Sequence, residues 1–369
     1  MATATTASMT SSTDQEYDRL NDAKLFDDSK LGVKGLVDSG VASIPRFFIH
    51  PSETLSDLKT ISQVERDIIP TIDLSGVDSN SRSKIVEQIS SASREFGFFQ
   101  IVNHGVSVEV MEQMIGGIKG LHEQSPEEKT RWYRRDMGTG VAIFSNFDLF
   151  HSKAASWRDT LQVYLGPTLP ELQEIPEICR NELLEWNIQT KRVAELLMEL
   201  LCEGVRLDAG RLKEMTCLEG RTMVGHYYPC CPQPDLTVGI ASHTDPGVVT
   251  VLLQDDIGGL QVKYNGEWVD VKPVPGALVI NVGDILQIMS NDEYKSVEHR
   301  VLANPHREPR VSIAVFFNPS DRVSLFGPLP ELISSQKPAQ YRQFTMEDYL
   351  KRFLSRELDG KSLANHYKL

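Results

Sequence analysis

The chain has 369 residues and a formal net charge of −13 at neutral pH. Hydrophobic residues make up 40% and charged residues 24% of it, which is ordinary for a globular protein able to bury a large core. The acidic excess, without any basic stripe, predicts that neither nucleic acid nor an anionic membrane is a partner. The sequence contains no apolar run of about 18 residues, so no membrane-spanning helix is expected.

The five cysteines are odd in number and do not follow zinc-site spacing. They therefore predict free, buried thiols and a reducing, cytoplasmic environment. No feature indicates an obligate protein partner. The cysteines are Cys179, Cys202, Cys217, Cys230 and Cys231.

The first part of the chain combines a polar tail with scattered apolar anchors. Residues 1–13 are rich in Ala, Ser and Thr and predict a disordered tail without a secretory or transit signal. Residues 32–37 predict a short helix or turn that docks on a surface. The apolar anchors between 14 and 70 are Leu25, Phe26, Leu36, Val37, Phe47 and Phe48.

Periodicity then predicts a strand over 69–74, a helix from about Ser83, a buried strand over 98–102 and a helix over 107–121 with Ser107 as its N-cap. Residues 138–153 have no clear period and predict a loop. Residues 181–207 predict a long amphipathic helix of roughly 40 Å, enough to back a whole sheet.

From about Arg221 the hydrophobic period changes to two. Strands are predicted at 260–264 and 269–271, joined by a hairpin turn at Asn265–Gly266, and again at 276–281 and 310–317. A last helix is predicted over 346–354. The pattern indicates a mainly β fold, a double-stranded β-helix (jelly roll) flanked by α-helices that include the long backing helix.

We divide the chain into four segments. Residues 1–68 are predicted to form a tail and docking segment, and 69–215 a largely helical region. Residues 216–321 are predicted to form the jelly-roll core and 322–369 a C-terminal helical lid.

Three residues predict a metal site. His243 and Asp245 point to one side of a strand because they are two residues apart, and His299 arrives from another strand. Two imidazoles and one carboxylate are typical of non-haem Fe(II) oxygenases, which leave the opposite coordination positions open. A catalytic zinc ion could bind the same set.

A second group predicts a carboxylate-binding site beside the metal. Arg310, Ser312, Ala314 and Phe316 share one face of a strand, and Arg310 can bind a carboxylate through two parallel hydrogen bonds. The alternative is an internal salt bridge to an Asp or Glu. Tyr228 is a further donor candidate, or else a core tyrosine. The two sites together indicate an iron enzyme that consumes a keto acid and dioxygen.

From about Ile69 to Leu354 the chain resembles the plant 2-oxoglutarate/Fe(II)-dependent dioxygenases. Residues 69–74 and 94–105 resemble the N-terminal motifs of that family. The resemblance implies that His243, Asp245 and His299 hold iron, that Arg310 and Ser312 hold 2-oxoglutarate, and that Tyr228 belongs to the Asn-Tyr-Tyr-Pro motif. His226 departs from the family, since it stands where many members have asparagine.

Residues 32–37 and 44–45 are similar to the subgroup named for homology to 1-aminocyclopropane-1-carboxylate oxidase, which desacetoxyvindoline 4-hydroxylase and benzoxazinoid dioxygenases also resemble. The likeness implies Fe(II) as cofactor, 2-oxoglutarate and O2 as co-substrates, and ascorbate as reductant. The expected reaction is hydroxylation of a partly apolar small molecule of plant specialised metabolism (alkaloid, steroid, benzoxazinoid or phenylpropanoid), with release of succinate and CO2.

Phe316, Phe144 and Phe353 are the expected walls of the acceptor pocket, although each ring can equally be part of the core. Three other functions compete with hydroxylation. They are an ethylene-forming oxidase that uses ascorbate and no 2-oxoglutarate, a zinc hydrolase on a barrel, and a catalytically inactive protein that binds small ligands.

Overall fold

Two β-sheets face each other at the centre of the computed structural model, which describes residues 17–59, 68–135, 140–355 and 362–369. The predicted tail over 1–13 lies outside the described residues. Within those ranges, none of the helices combines the length and the apolar character needed to cross a bilayer.

The strands are β1 (Thr71–Asp73), β2 (Phe98–Val102), β3 (Val141–Phe144), β4 (Asp159–Tyr164), β5 (Gly220–Tyr228), β6 (Val238–His243), β7 (Val249–Gln254), β8 (Leu260–Tyr264), β9 (Glu267–Asp270), β10 (Leu278–Val282), β11 (His299–Leu302), β12 (Arg310–Asn318), β13 (Leu325–Phe326) and β14 (Phe344–Thr345). Eight form a large sheet in the order β1-β2-β10-β7-β12-β5-β4-β3, and four form a small sheet in the order β6-β11-β8-β9.

The helices are α1 (Arg19–Ser29), α2 (Gly32–Asp38), α3 (Ser52–Lys59), α4 (Arg82–Glu95), α5 (Val108–His122), α6 (Pro126–Thr130), α7 (Arg180–Gly204), α8 (Arg211–Glu214), α9 (Asp284–Met289), α10 (Met346–Leu354) and α11 (Ser362–His366). Short 3-10 turns lie between some of them.

The two faces of the large sheet pack against different partners. Its outer face joins α4, α5 and α7 in one apolar core, to which β12 contributes Val311, Ile313, Val315 and Phe317. Its inner face meets the small sheet in a second cluster that includes Phe98 and Val279 from the large sheet and Val262 and Val301 from the small one. This double-sheet arrangement, backed by the 25-residue α7, is the predicted jelly roll.

Several local predictions are confirmed. Asn265 and Gly266 have φ of 50° and 86° between β8 and β9, as a tight hairpin turn requires. Ser107 caps α5 by accepting from the Val110 N–H. The five cysteines are free, and all but the half-buried Cys230 are buried. The four-segment division stays a prediction; strands from both sides of residue 216 share the large sheet.

Two predictions are wrong. Residues Val141–Phe144 form the buried strand β3 and not a loop, because they pair with β4, which the sequence pattern did not reveal. Leu25 is not an anchor, since 62% of it is exposed. The neighbouring Phe26 is buried instead, with Phe47, Phe48 and Trp157.

A buried carboxylate ties the N-terminal segment to the large sheet. Asp159, the first residue of β4, accepts the backbone N–H groups of Val33 and Lys34, each at 2.8 Å. These are orphan donors at the start of α2, whose own N-cap residue provides no side-chain bond. Gly32 has φ of 68°, and a Cβ there would lie 2.5 Å from the carboxylate. Asp159 thus replaces the missing cap from a distant strand.

Replacing Asp159 by Asn should lower the free energy of unfolding by about 2 kcal/mol, because an amide nitrogen cannot accept one of the two backbone N–H groups. Denaturant unfolding followed by circular dichroism measures the change. The control is Asp38→Asn, whose exposed ion pair with Lys34 should contribute no more than about 0.5 kcal/mol. Equal losses in the two variants would contradict the capping role.

Candidate active site

His243, Asp245 and His299 meet where β6 and β11 run side by side. His299 lies directly opposite His243 in the antiparallel ladder, and Asp245 follows the end of β6 by two residues. The Oδ1 atom of Asp245 is 3.6 Å from Nε2 of His243 and 3.5 Å from Nε2 of His299. One ligand atom from each residue lies within 4.8 Å of the other two, a spacing that lets all three share one ion.

Backbone carbonyls fix the orientation of both imidazoles. Nδ1 of His243 lies 2.9 Å from the Ala241 carbonyl, and Nδ1 of His299 lies 3.3 Å from that of Val297. A carbonyl only accepts, so each Nδ1 carries the proton and each Nε2 keeps its lone pair for a metal.

The second oxygen of Asp245 is held by two donors that sequence reasoning missed. Thr250 Oγ1 donates to Oδ2 at 2.5 Å and Asn281 Nδ2 at 2.8 Å. Thr250 and Asn281 are register partners on β7 and β10, so they reach the carboxylate together. The available signal was a polar residue within each of two apolar runs, since a buried polar group needs a partner.

Burial and the neighbouring charges shift the pKa values of these three side chains in different directions. Burial and the neighbouring His299 lower the pKa of His243 to about 3. Burial opposes ionisation of Asp245, but the two histidines and Thr250 hold its pKa well below the usual range. Burial disfavours charge on His299, yet the Asp245 carboxylate raises its pKa overall. A metal ion competes with that proton for the same carboxylate and imidazole.

Arg310 lies deep in the inner face and is only 1% exposed. Its Nη1 donates to Ser312 Oγ and its Nη2 to Gln254 Oε1, both at 3.0 Å. Tyr228 stacks near the guanidinium, 4.9 Å from ring centroid to Cζ.

No acid in the described ranges forms an ion pair with Arg310, so the alternative of an internal salt bridge is not observed. The phenol oxygen of Tyr228 is buried and makes no hydrogen bond of normal geometry in the described part of the chain, while Arg310 and Ser312 lie near enough to oppose the rise in its pKa caused by burial. A buried cation without a counterion costs several kcal/mol, so these donors suit an anionic ligand.

Known proteins match this chain over nearly its whole length. Residues 220–319 match the 2OG-Fe(II) oxygenase superfamily, and 69–182 match the non-haem dioxygenase N-terminal family described for morphine synthesis. The 1-aminocyclopropane-1-carboxylate oxidase homolog 5 of Arabidopsis thaliana is 48% identical over 363 residues, which are 96% of this chain and 90% of the relative.

The chain belongs to the 2-oxoglutarate/Fe(II)-dependent oxygenase superfamily. Homolog 4 from the same plant is likewise 48% identical, over 96% of this chain and all of the relative. The crystal structure of JOX2 in complex with 2OG, Fe and JA has a TM-score of 0.80 and 32% identity, covering 92% of this chain and 97% of JOX2. The 2-oxoglutarate complex of AtDAO1 from Arabidopsis thaliana has a TM-score of 0.61 and 26% identity, over 73% of this chain and all of AtDAO1.

Fe(II) is the cofactor of this dioxygenase and 2-oxoglutarate its co-substrate. The observed metal-ligand atoms fit Fe(II), and the observed hydrogen-bond donors fit 2-oxoglutarate. Two neutral nitrogens and one anionic oxygen on one side of an ion are typical ligands for Fe(II) and leave the other side open. The buried arginine, hydroxyl and orphaned phenol fit the far carboxylate of a short diacid.

The register of the large sheet shows where the aromatic candidates lie. Phe316 is opposite Thr250, whose hydroxyl binds Asp245, so Phe316 lies on the inner face beside the candidate metal site. Phe144 at the edge of the sheet is opposite Thr160, in the same row as His226 and Ser312. Phe353 is half-buried on α10 and stacks on Phe147, 6.1 Å between centroids.

His226, the departure from the family pattern, points into the same inner face. Its Nδ1 lies 3.0 Å from Thr160 Oγ1. Burial, with Arg158 and Arg310 nearby, lowers the pKa of His226 well below its ordinary value, so the imidazole is neutral at neutral pH.

Replacing Thr250 by Val should weaken Fe(II) binding about 10- to 100-fold, because Asp245 loses a donor that orients it. Metal titration monitored by tryptophan fluorescence measures the affinity. Thr222→Val is the matched control, since Thr222 is also opposite Phe316 but on the side away from Asp245. Unchanged affinity in Thr250→Val would show that Asp245 does not depend on this bond.

Proposed function

We propose that His243, Asp245 and His299 bind the Fe(II) of this dioxygenase. The observation that carries this assignment is the pairing of His243 with His299 across two strands, with both Nε2 atoms within 3.6 Å of one carboxylate oxygen. The zinc alternative has the same ligands, but it gives no reason for a buried, uncompensated arginine nearby.

Arg310, Ser312 and Tyr228 are proposed to hold the far carboxylate of 2-oxoglutarate. Their support is burial without an acid partner and, for Tyr228, a hydroxyl without a hydrogen bond of normal geometry among the described residues. The guanidinium presents parallel donors, and Ser312 lies within 3.0 Å of it. Anchoring one end of the diacid in this way directs its keto acid end toward the metal.

The reaction we propose is hydroxylation of a partly apolar small molecule of plant specialised metabolism, with release of succinate and CO2. The plant relatives and the aromatic residues on or near the inner face support it. Phe316, Phe144 and Phe353 are the proposed walls of the acceptor pocket.

The chain's own residues bind, orient and exclude water. Fe(II), when bound, supplies dioxygen activation with 2-oxoglutarate as the electron donor. Thr250 and Asn281 hold Asp245 in one orientation, and the carbonyls of Ala241 and Val297 hold the imidazoles. Phe316, on the inner face beside the proposed metal site, adds an apolar surface that helps to exclude water.

Replacing His243 or Asp245 by Ala should abolish succinate formation from 2-oxoglutarate, because two ligands do not hold the ion in a reactive geometry. Succinate release and bound iron per chain are the measurements. His151→Ala, at an exposed position, is the control and should keep both. Normal turnover in the two ligand variants would refute the assignment.

Replacing Arg310 by Met should raise the KM for 2-oxoglutarate roughly 100-fold while iron binding stays nearly unchanged. Arg221→Met removes another buried arginine, one bonded to carbonyls on the outer face, and controls for lost stability. An unchanged 2-oxoglutarate requirement would count against the role of Arg310. Ethylene release without 2-oxoglutarate would instead favour the oxidase alternative.

A further inference from the structure

A second buried arginine lies across Tyr228 from Arg310. Arg310 is the register partner of Tyr228 on one side, and Asp159 is the partner of Tyr227 on the other. Continuing that register by one residue places Arg158 opposite Tyr228. Neighbouring strands are about 4.8 Å apart, so the two arginine backbones are roughly 10 Å apart on the same inner face.

Most of the donor capacity of Arg158 is unused. The residue is 3% exposed, and only Nη1 bonds to the described chain, at 3.1 Å from the Gly239 carbonyl and 3.4 Å from Asn146 Oδ1. Nε is buried without a hydrogen-bond partner in the described ranges. Nη2 also has no hydrogen-bond partner in the described ranges, and it is accessible to solvent.

The charge of Arg158 is also uncompensated at close range. Burial lowers its pKa, while Tyr228, Asp148 and Asp159 act in the opposite direction. Arg158 forms no ion pair within the described ranges, and the Asp159 carboxylate accepts from α2 instead. The bond to Gly239 uses Nη1 and leaves Nε and Nη2 without a hydrogen-bond partner in the described ranges.

The next row of cross-strand partners in the large sheet places an imidazole and an apolar ring beside Arg158. His226 is opposite Thr160, and Thr160 is opposite Phe144. When the Thr160 hydroxyl donates to Nδ1 of His226, Nε2 carries the proton. Nε2 has no bond within the described chain and is not closed off from solvent. A guanidinium, a neutral imidazole and a phenyl ring therefore lie in adjacent rows of the inner face.

We propose that Arg158, assisted by His226, binds a carboxylate of the acceptor, so that the acceptor of this enzyme is an organic acid with an apolar body. The proposal rests on the proposed function, because it assumes the assigned co-substrate site. In the proposed function, one carboxylate of 2-oxoglutarate would be held by Arg310 and the other would face His243, Asp245 and His299. The co-substrate has no third anion for Arg158, and the acceptor must supply it.

The first experiment presents the wild-type holoenzyme with a panel of plant carboxylic acids, each paired with its own methyl ester. Acceptor-stimulated succinate release and a gain of one oxygen by mass are recorded. At least one acid should be turned over, with a kcat/KM roughly 30-fold or more above that of its ester. Esters as good as their acids, or no stimulation by any acid, would overturn the proposal.

The second experiment compares Arg158→Met, Arg158→Lys and the outer-face control Arg221→Met. Binding of the best acid to protein loaded with Mn²⁺ and 2-oxoglutarate, without dioxygen, is measured by calorimetry. Affinity should fall roughly 30-fold or more in Arg158→Met, recover partly in Arg158→Lys because the charge returns, and stay unchanged in Arg221→Met. Equal losses in Arg158→Met and Arg221→Met would assign Arg158 a structural role only and contradict the proposal.

Succinate release measured without an acceptor distinguishes a failure of this inference from a failure of the proposed function. Arg158→Met should keep the wild-type KM for 2-oxoglutarate in that reaction. A raised KM for 2-oxoglutarate with unchanged binding of the acid would move Arg158 to the co-substrate site. Wild-type protein without any succinate release would instead refute the proposed function itself.

Discussion

The pairing of β6 with β11 is the constraint on which the candidate active site depends. Because His299 lies opposite His243, the centroids of the two imidazole rings are 4.2 Å apart. No loop is needed to bring them together. Each ring is then fixed by a carbonyl on its own chain segment, two residues before it. Asp245 completes the set from just beyond the strand, and β7 and β10 hold its second oxygen. The geometry is thus a property of the sheet ladder, and it is present before any metal binds.

Buried charge is the second organising principle. The Asp245 carboxylate is matched by histidines, and the Asp159 carboxylate by the start of α2. The two inner-face arginines are not matched within the described chain. Since several kcal/mol are lost whenever a buried cation lacks a counterion, an acid bound at either arginine would stabilise the protein. Within a protein of net charge −13, these two arginines concentrate positive charge on the inner face of the large sheet.

Sequence reasoning succeeded where a short-range rule sets the outcome. The turn at Asn265–Gly266, the cap at Ser107 and the alternation along β12 each follow from the preferences of a few neighbouring residues. It failed where pairing with a distant strand decides. Val141–Phe144 becomes a strand only because β4 lies beside it. A polar residue within an apolar run marks Thr250 and Asn281 as needing a partner, but the register between distant strands decides that the partner is Asp245.

The outer and inner faces of β12 and β5 show why fold and specificity can change independently. Outward residues such as Ile313 and Phe317 belong to the apolar core with the helices, so their shape is constrained by packing. Inward residues such as Ser312 and His226 contribute little to that core and are free to match a ligand. His226 in place of the common asparagine is a change of this second kind. It keeps the strand and its pairing, yet replaces an amide with an imidazole held by Thr160. Changes in acceptor preference are therefore expected to arise in the rows that contain Arg158, His226 and Phe144, while the row that holds Asp245 stays fixed by its two donors.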